Sequence, residues 1–243
     1  MSVRFLNYKI SKFGEKACLV QYSDEPSDEL TRHLTELSRF LRKELDDYIV
    51  DVNFSYNELA VYFKYLLNEQ DFYTDFERLI SDFNYKDIAA AGLVYEIPVC
   101  YNEKFGLDIE ELCNAKNISI QELIKAHTQP IYPVRFIGFL PGFPYLSGLN
   151  KKLAFPRKKS PRRAVLEGSV GIANQQTGIY PIEISGGWNI IGRTPIKLFD
   201  AKNEKTLLSP GDFIKFSPIT YEEYERIESL VKNDEFKIKT YNA

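Results

Sequence analysis

Gly168-Ser169-Val170-Gly171-Ile172-Ala173-Asn174-Gln175-Gln176-Thr177-Gly178-Ile179-Tyr180-Pro181 sets the reading of the whole later part of the chain. A short apolar run, Ser169–Ala173, is followed by an amide-rich Gln-Gln-Thr-Gly turn, a second apolar run and a proline. Short apolar segments cut by Gly or Pro every eight to twelve residues mark a β-barrel or sandwich. The same rhythm extends on both sides, through Val134–Leu140, Val165–Leu166, Tyr180–Ile184, Trp188–Ile191, Ile196–Phe199 and Phe213–Phe216. The chain has 13 Gly and 12 Pro, and 10 of each fall within residues 130–218.

Earlier residues read differently. Val3–Ile10 and Ala17–Tyr22 are predicted strands joined at Phe13-Gly14-Glu15. Leu30, Leu34, Leu37, Leu41 and Leu45 recur at helical spacing. Tyr48–Phe54 and Leu59–Leu66 read as a hairpin around Tyr56-Asn57, and Phe72, Phe76, Leu79 or Ile80, and Phe83 as one face of a second helix. Two such helices can cover one face of an antiparallel sheet. Two N-terminal signals follow, the capping boxes Ser119-Ile120-Gln121-Glu122 and Thr220-Tyr221-Glu222-Glu223. Phe236–Tyr241 alternates apolar and basic residues like an edge strand. The expected fold is α+β: a small N-terminal α/β domain over residues 1–92, then a β-barrel domain with a C-terminal helix and tail over 93–243.

Composition narrows the function. A net charge of −3 argues against general nucleic-acid or anionic-membrane binding. Residues 1–94 carry 11 basic and 17 acidic residues, whereas 95–243 carry 20 and 17. Cys18, Cys100 and Cys113 form no CxxC pair, and no apolar run is long enough to span a bilayer, so a reducing cytoplasm is expected. Phosphate loops of the GxxxxGK[ST] kind, GxGxxG, HExxH, EF-hand and GxSxG motifs are all missing, and no metal ligand set is expected. Of the two histidines, His33 sits beside the apolar stripe of the first helix and is expected in solvent; His127, at the end of a short helix, is either a dipole complement or a polar group at a cleft mouth.

Three further stretches carry candidate chemistry. Phe136–Leu146 combines Phe139, Phe143 and Tyr145 with Pro141, Gly142 and Pro144, and so holds aromatic rings on a stiff loop. Lys151–Arg163 places seven basic and no acidic residues in 13 positions, and Pro156-Arg157 and Pro161-Arg162 stiffen this anion-binding strip. Ser185-Gly186-Gly187-Trp188 and Gly192-Arg193-Thr194-Pro195 add the only tryptophan and a lone arginine at a turn.

Together these motifs closely resemble the KipI / allophanate-hydrolase-subunit-1 family, also called PxpB, the B subunits of 5-oxoprolinase. The run GFLPGFPYLSGL, the two Pro-Arg steps, GSVGIANQQTGIYP, SGGW, IGRTP, Leu198–Asp200 and Pro210–Asp212 match in order and spacing. The resemblance covers residues 3 to about 219, and Ile10–Ala17 is similar to the family's weaker opening motif. It implies carboxyltransferase subdomains C and D, with a cyclophilin-like β-barrel after a ferredoxin-like α/β domain. It also implies action with a KipA/PxpC-type subunit and a LamB/PxpA-type subunit in an ATP-dependent opening of 5-oxoproline to glutamate, with ATP, accompanied by Mg, shared with the partner. Some relatives inhibit a sensor histidine kinase, and others serve urea carboxylase or allophanate hydrolase systems; both stand as alternatives, and prolyl isomerisation follows from fold analogy alone.

A lactam is a poor electrophile, so this chemistry needs cations for phosphate charge and donors that orient the amide. Arg157, Arg162 and Arg193 are the expected cations, and Gln176, Thr177 and His127 the expected donors, with His127, Arg193 and Gln176 counted as catalytic. Phe139, Phe143, Tyr145 and Trp188 would exclude water. Gly142, Gly186, Gly187 and Thr194, from the same motifs, complete the substrate-binding set.

Overall fold

The computed structural model describes residues 5, 7–66, 69–83 and 92–243. The chain divides into two compact units, Met1–Ala90 and Ala91–Ala243. The expected strand start at Val3 and the side chain of Phe72 lie outside what is described.

In the first unit the order is β1 (Tyr8–Lys12), β2 (Ala17–Tyr22), α1 (Asp28–Glu44), β3 (Ile49–Ser55), β4 (Glu58–Phe63) and α2 (Glu69–Asp82). The strands form one antiparallel sheet in the order β1-β2-β4-β3. Alternate strand residues Cys18, Val20 and Tyr22, and Leu59, Val61 and Phe63, face the buried side. Leu30, Leu34, Leu37 and Leu41 of α1 lie fully buried in the same core as Phe76 and Ile80 of α2. The turn between β3 and β4 is Tyr56-Asn57, with Ser55 opposite Glu58. A ferredoxin-like unit runs β-α-β-β-α-β; the described elements run β-β-α-β-β-α, so the expected ferredoxin-like order is not what they display.

His33 corrects another expectation. It is 5% exposed, its Nε2 lies 3.0 Å from the Tyr22 hydroxyl, and the rings of Phe5, Tyr22 and Phe83 surround it. Residue 33 is three after Leu30 and four before Leu37, so it falls inside the buried arc of α1 rather than beside it. Burial pulls its pKa down to about 4.

The second unit begins with β5 (Leu93–Cys100), α3 (Ile109–Lys116), α4 (Ile120–Thr128), β6 (Tyr132–Ile137) and β7 (Pro144–Leu146). Next come β8 (Arg162–Val165), β9 (Ser169–Ala173), β10 (Gln176–Ile179), β11 (Ile184–Gly186) and β12 (Asn189–Arg193). The order ends with β13 (Phe199–Asp200), β14 (Lys205–Thr206), β15 (Phe213–Ile219), α5 (Tyr221–Lys232) and β16 (Thr240–Asn242). Strands β12-β9-β10-β7-β6-β15-β5 are neighbours in that order, and β12 also pairs with β5 through Arg193 and Cys100. The ring therefore closes into a seven-stranded barrel. Only β15 and β5 run parallel among these pairs. Outside the ring, β16 pairs with Leu93–Tyr95 of β5 as an edge strand, shorter than the expected Phe236–Tyr241 and starting only at Thr240.

Ile97, Val99, Tyr132, Val134, Val170, Ile172, Ile179, Ile191, Ile214 and Phe216 belong to the core of this unit, with Leu112 of α3 and Leu123 of α4. Both capping boxes form: Ser119 and Glu122 exchange hydrogen bonds at the start of α4, as do Thr220 and Glu223 at the start of α5. The expected strand Tyr180–Ile184 does not form. Pro181 has no N–H for a ladder, so β10 ends at Ile179 and β11 starts afresh at Ile184. The Gln-Gln-Thr-Gly turn is also displaced. Asn174 takes the left-handed conformation (φ 53°), the bend falls at Asn174-Gln175, and Gln176, Thr177 and Gly178 are strand.

Candidate functional site

Two of the expected site residues lie inside the barrel. His127 and Thr177 are both 0% exposed. Thr177 donates its hydroxyl to the Gly171 carbonyl at 3.0 Å, so it accepts from the Nε2–H of His127, also at 3.0 Å. That leaves Nδ1 to accept from the Tyr101 hydroxyl at 2.7 Å. One chain of donors thus fixes His127 as the neutral Nε2–H tautomer. Phe216 stacks on the ring at 4.6 Å, and Tyr132 donates to the His127 carbonyl at 2.7 Å. Burial drives the imidazole pKa down to about 3. With both nitrogens satisfied internally and no solvent access, His127 is neither a dipole complement in water nor a group at a cleft mouth. His127 and the expected substrate-facing Thr177 are both packed into the barrel interior, away from solvent.

Arg193 lies at the far end of β12. Its Nε donates to the Glu167 carbonyl at 2.7 Å, and its guanidinium lies over the rings of Phe105 (5.6 Å) and Tyr224 (5.9 Å). Thr194, 2% exposed, accepts from the Ile196 N–H at 3.2 Å. Arg193 lies five positions after Trp188, about 16 Å along a strand. The structure does not bring Arg193 and Thr194 together with the tryptophan.

Most of the remaining candidates do converge. The loop between β6 and β7 folds on itself, with Gly138 donating to the Phe143 carbonyl at 3.1 Å and Phe143 to the Leu140 carbonyl at 3.1 Å. Gly142 has φ +82°, and a Cβ there would lie 3.0 Å from Phe199 Cβ. This turn leaves Phe139 62% exposed, edge-on to the buried Phe143 at 5.9 Å. Phe143 meets Tyr145 (5.0 Å), Tyr180 (5.3 Å) and Trp188 (5.3 Å). These rings, with Val165, Ala173 and Ile190, form a core separate from that of the barrel. Gly186 is required here: a Cβ would sit 2.3 Å from the Tyr180 hydroxyl. Gln176, half-buried, opens β10 opposite Ala173.

The basic strip is laid across this aromatic cluster. Asn189 donates its side-chain amide to the Pro156 carbonyl at 2.8 Å and the Ile172 carbonyl at 3.1 Å, and Lys158 N–H donates to the Gly187 carbonyl at 2.8 Å. Arg157, between these anchors, sits over the Trp188 ring at 5.9 Å. Arg162 donates to Asp108 at 2.6 Å and Lys158 reaches the same oxygen at 2.7 Å. The other Asp108 oxygen accepts from the Ile190 N–H at 2.7 Å. Burial raises the pKa of Asp108, but the hydrogen bonds from Arg162, Lys158 and Ile190 outweigh it and hold the carboxyl below its usual range.

Asp108, Tyr180 and Asn189 escaped the sequence reading. Asp108 stands at the N-cap of α3, where an aspartate reads as an ordinary cap. In fact it makes no side-chain capping bond, because its oxygens are taken by partners distant in sequence.

The second unit is thus a closed barrel that carries an arginine-bearing aromatic face. Residues 8–209 match the family described as carboxyltransferase domain, subdomain C and D, and the chain belongs to that family. It is 34% identical over 235 residues to the B subunit of 5-oxoprolinase from Bacillus subtilis (strain 168), covering 92% of this chain and 97% of that protein. With the B subunit of the Haemophilus influenzae 5-oxoprolinase it shares 36% over 208 residues, 85% of this chain and 96% of the relative. The crystal structure of TTHA0988 superposes with a TM-score of 0.70 at 29% identity over 84% of this chain; the chain spans 40% of that longer protein.

Proposed function

We propose that this chain is the B subunit of an ATP-dependent 5-oxoprolinase that opens the lactam of 5-oxoproline to glutamate. The observation that carries the reading is similarity, at 34% and 36% identity over 92% and 85% of this chain, to two proteins named as B subunits of 5-oxoprolinase. In this reading the chain works with a KipA/PxpC-type subunit and a LamB/PxpA-type subunit in the cytoplasm, and its barrel is of the cyclophilin-like kind. No helix among the described residues is long and apolar enough to cross a membrane.

The division of labour follows from the residues. Trp188, Phe143, Tyr145 and Phe139 form the water-excluding wall, Arg157 the positive side, with Arg162 beside it held against Asp108, and Gln176 the amide that orients the lactam. Bound ATP supplies the phosphoryl group that makes the amide oxygen a leaving group. Among the described residues no group of three or more His, Cys, Asp or Glu is arranged to hold a metal ion. The sequence has no phosphate loop of the GxxxxGK[ST] kind, so in this reading ATP, with Mg, is shared with the partner subunit.

Purified with both partner subunits, the chain should support ADP release that depends on 5-oxoproline. A folded, assembled complex that releases no ADP on addition of 5-oxoproline would overturn the proposal.

A further inference from the structure

Charge is unevenly available on the arginine-bearing face. The carboxylate of Asp108, 2% exposed, takes both Arg162 and Lys158, and Lys158 also reaches Glu111 at 2.9 Å. Two cations and two anions cancel within this cluster, and Asp108 stays ionised. Arg157 is outside it. Its side chain is exposed, and its guanidinium lies over the Trp188 ring.

Arg157 is nevertheless placed with care. The residue before it is anchored by Asn189 through the Pro156 carbonyl, and the residue after it by the Gly187 carbonyl and the Asp108 carboxylate. Both flanks of an exposed arginine are therefore fixed to the buried framework, which reduces the ordering cost of any ligand it holds. The charge of Arg157 also acts on the neighbouring hydroxyls of Tyr145 and Tyr180, opposing the rise that burial gives their pKa values. Arg162 keeps its Nη1 buried and without a hydrogen-bond partner among the described residues.

Over the Trp188 ring itself a polyphosphate would find a single cation, Arg157. A monocarboxylate would find matching charge, a planar two-donor fork and an aromatic floor. We propose that Arg157, clamped over Trp188, is the binding residue for the carboxylate of a singly charged small molecule, and that the phosphates of ATP are held elsewhere. The identity of that molecule as 5-oxoproline, which carries one carboxylate, rests on the proposed function; the charge preference does not.

Trp188 is the only tryptophan, so its fluorescence reports on this face directly. Titration of the full chain with 5-oxoproline should give a saturable change. Arg157→Ala should weaken it roughly 10- to 100-fold, the value of one charge-assisted pairing, and Arg157→Lys should weaken it less. Pyrrolidin-2-one, the same ring without the carboxylate, should give no change at the same concentration, and tripolyphosphate should not compete. In the assembled complex Arg157→Ala should raise KM for 5-oxoproline with kcat retained, a split that general structural damage would not produce. Equal responses to pyrrolidin-2-one, displacement by tripolyphosphate, or an unchanged KM in an active Arg157→Ala complex would each overturn the carboxylate site while leaving the oxoprolinase reading intact. If the wild-type complex is inactive toward 5-oxoproline, that reading falls, and titration of Trp188 with acetate against tripolyphosphate decides the site alone: a response to tripolyphosphate but not acetate overturns it.

Discussion

Asp108 and Arg162 stand 54 residues apart and meet at 2.6 Å, the carboxylate 2% exposed and the guanidinium side chain 25% exposed. This pair ties the start of α3 to β8, and through the Ile190 N–H it reaches β12 as well. Asp108→Asn would keep the shape but leave Arg162 and Lys158 without their anion. Breaking a fully buried pair costs about 3–5 kcal/mol; with two part-exposed cations about 2 kcal/mol is expected, read as a lower urea midpoint. Because the folded pKa lies below the unfolded one, the contribution is complete above the usual carboxylate range and is lost as pH falls through the folded value. The variant should therefore also lose part of the acid limb of the stability profile.

His127 gives a second pH signature. Its folded pKa of about 3 lies below the unfolded value of about 6.5, so the unfolded chain binds the extra proton between them. Stability of the barrel unit is complete above that unfolded value and falls as pH drops, by about 2 kcal/mol between pH 6.5 and 5. Denaturant unfolding followed at Trp188, which lies in the barrel unit, should record this slope, and His127→Gln should flatten it. An unchanged slope in the variant would refute the assignment.

Gly186→Ala places a methyl where the Tyr180 hydroxyl now sits. The ring of Tyr180 must move, and Phe143 and Trp188 rest on the same cluster. A loss of about 1–3 kcal/mol, the usual cost of overpacking, is expected together with a shift in Trp188 emission; Gly187→Ala, with no atom closer than 3.6 Å to the new Cβ, should cost less.

Arg193→Ala removes a donor to the Glu167 carbonyl and a cation stacked on Phe105 and Tyr224. A stability loss of about 1–2 kcal/mol is expected. Carboxylate binding at Trp188 should be unaffected; a loss of that binding comparable to Arg157→Ala would place Arg193 in the site after all.

Local patterns in the sequence were legible and distant partners were not. The leucine stripe of α1, the two capping boxes and Ser169–Ala173 depend on neighbours within a few residues, and all appear where the spacing places them. The ring of strands closes through Arg193 and Cys100, 93 positions apart, which no local period encodes. At the site, the aromatics and Arg157 were named from composition because rings and cations announce themselves. Asp108 was not, since its partners are Arg162 and Ile190. The burial of His127 is hidden from the sequence for the same reason: the hydroxyl that satisfies Nε2 lies 50 residues later.

The pairing of β16 with β5 sets Thr240–Asn242 against Leu93–Tyr95, and the Ala243 N–H reaches the Gly92 carbonyl at 3.2 Å. The polypeptide thus enters and leaves this unit at a single doorway. A module with such adjoining ends can be spliced into a longer chain, or joined to a neighbour at either side, without any strand of its ring being cut.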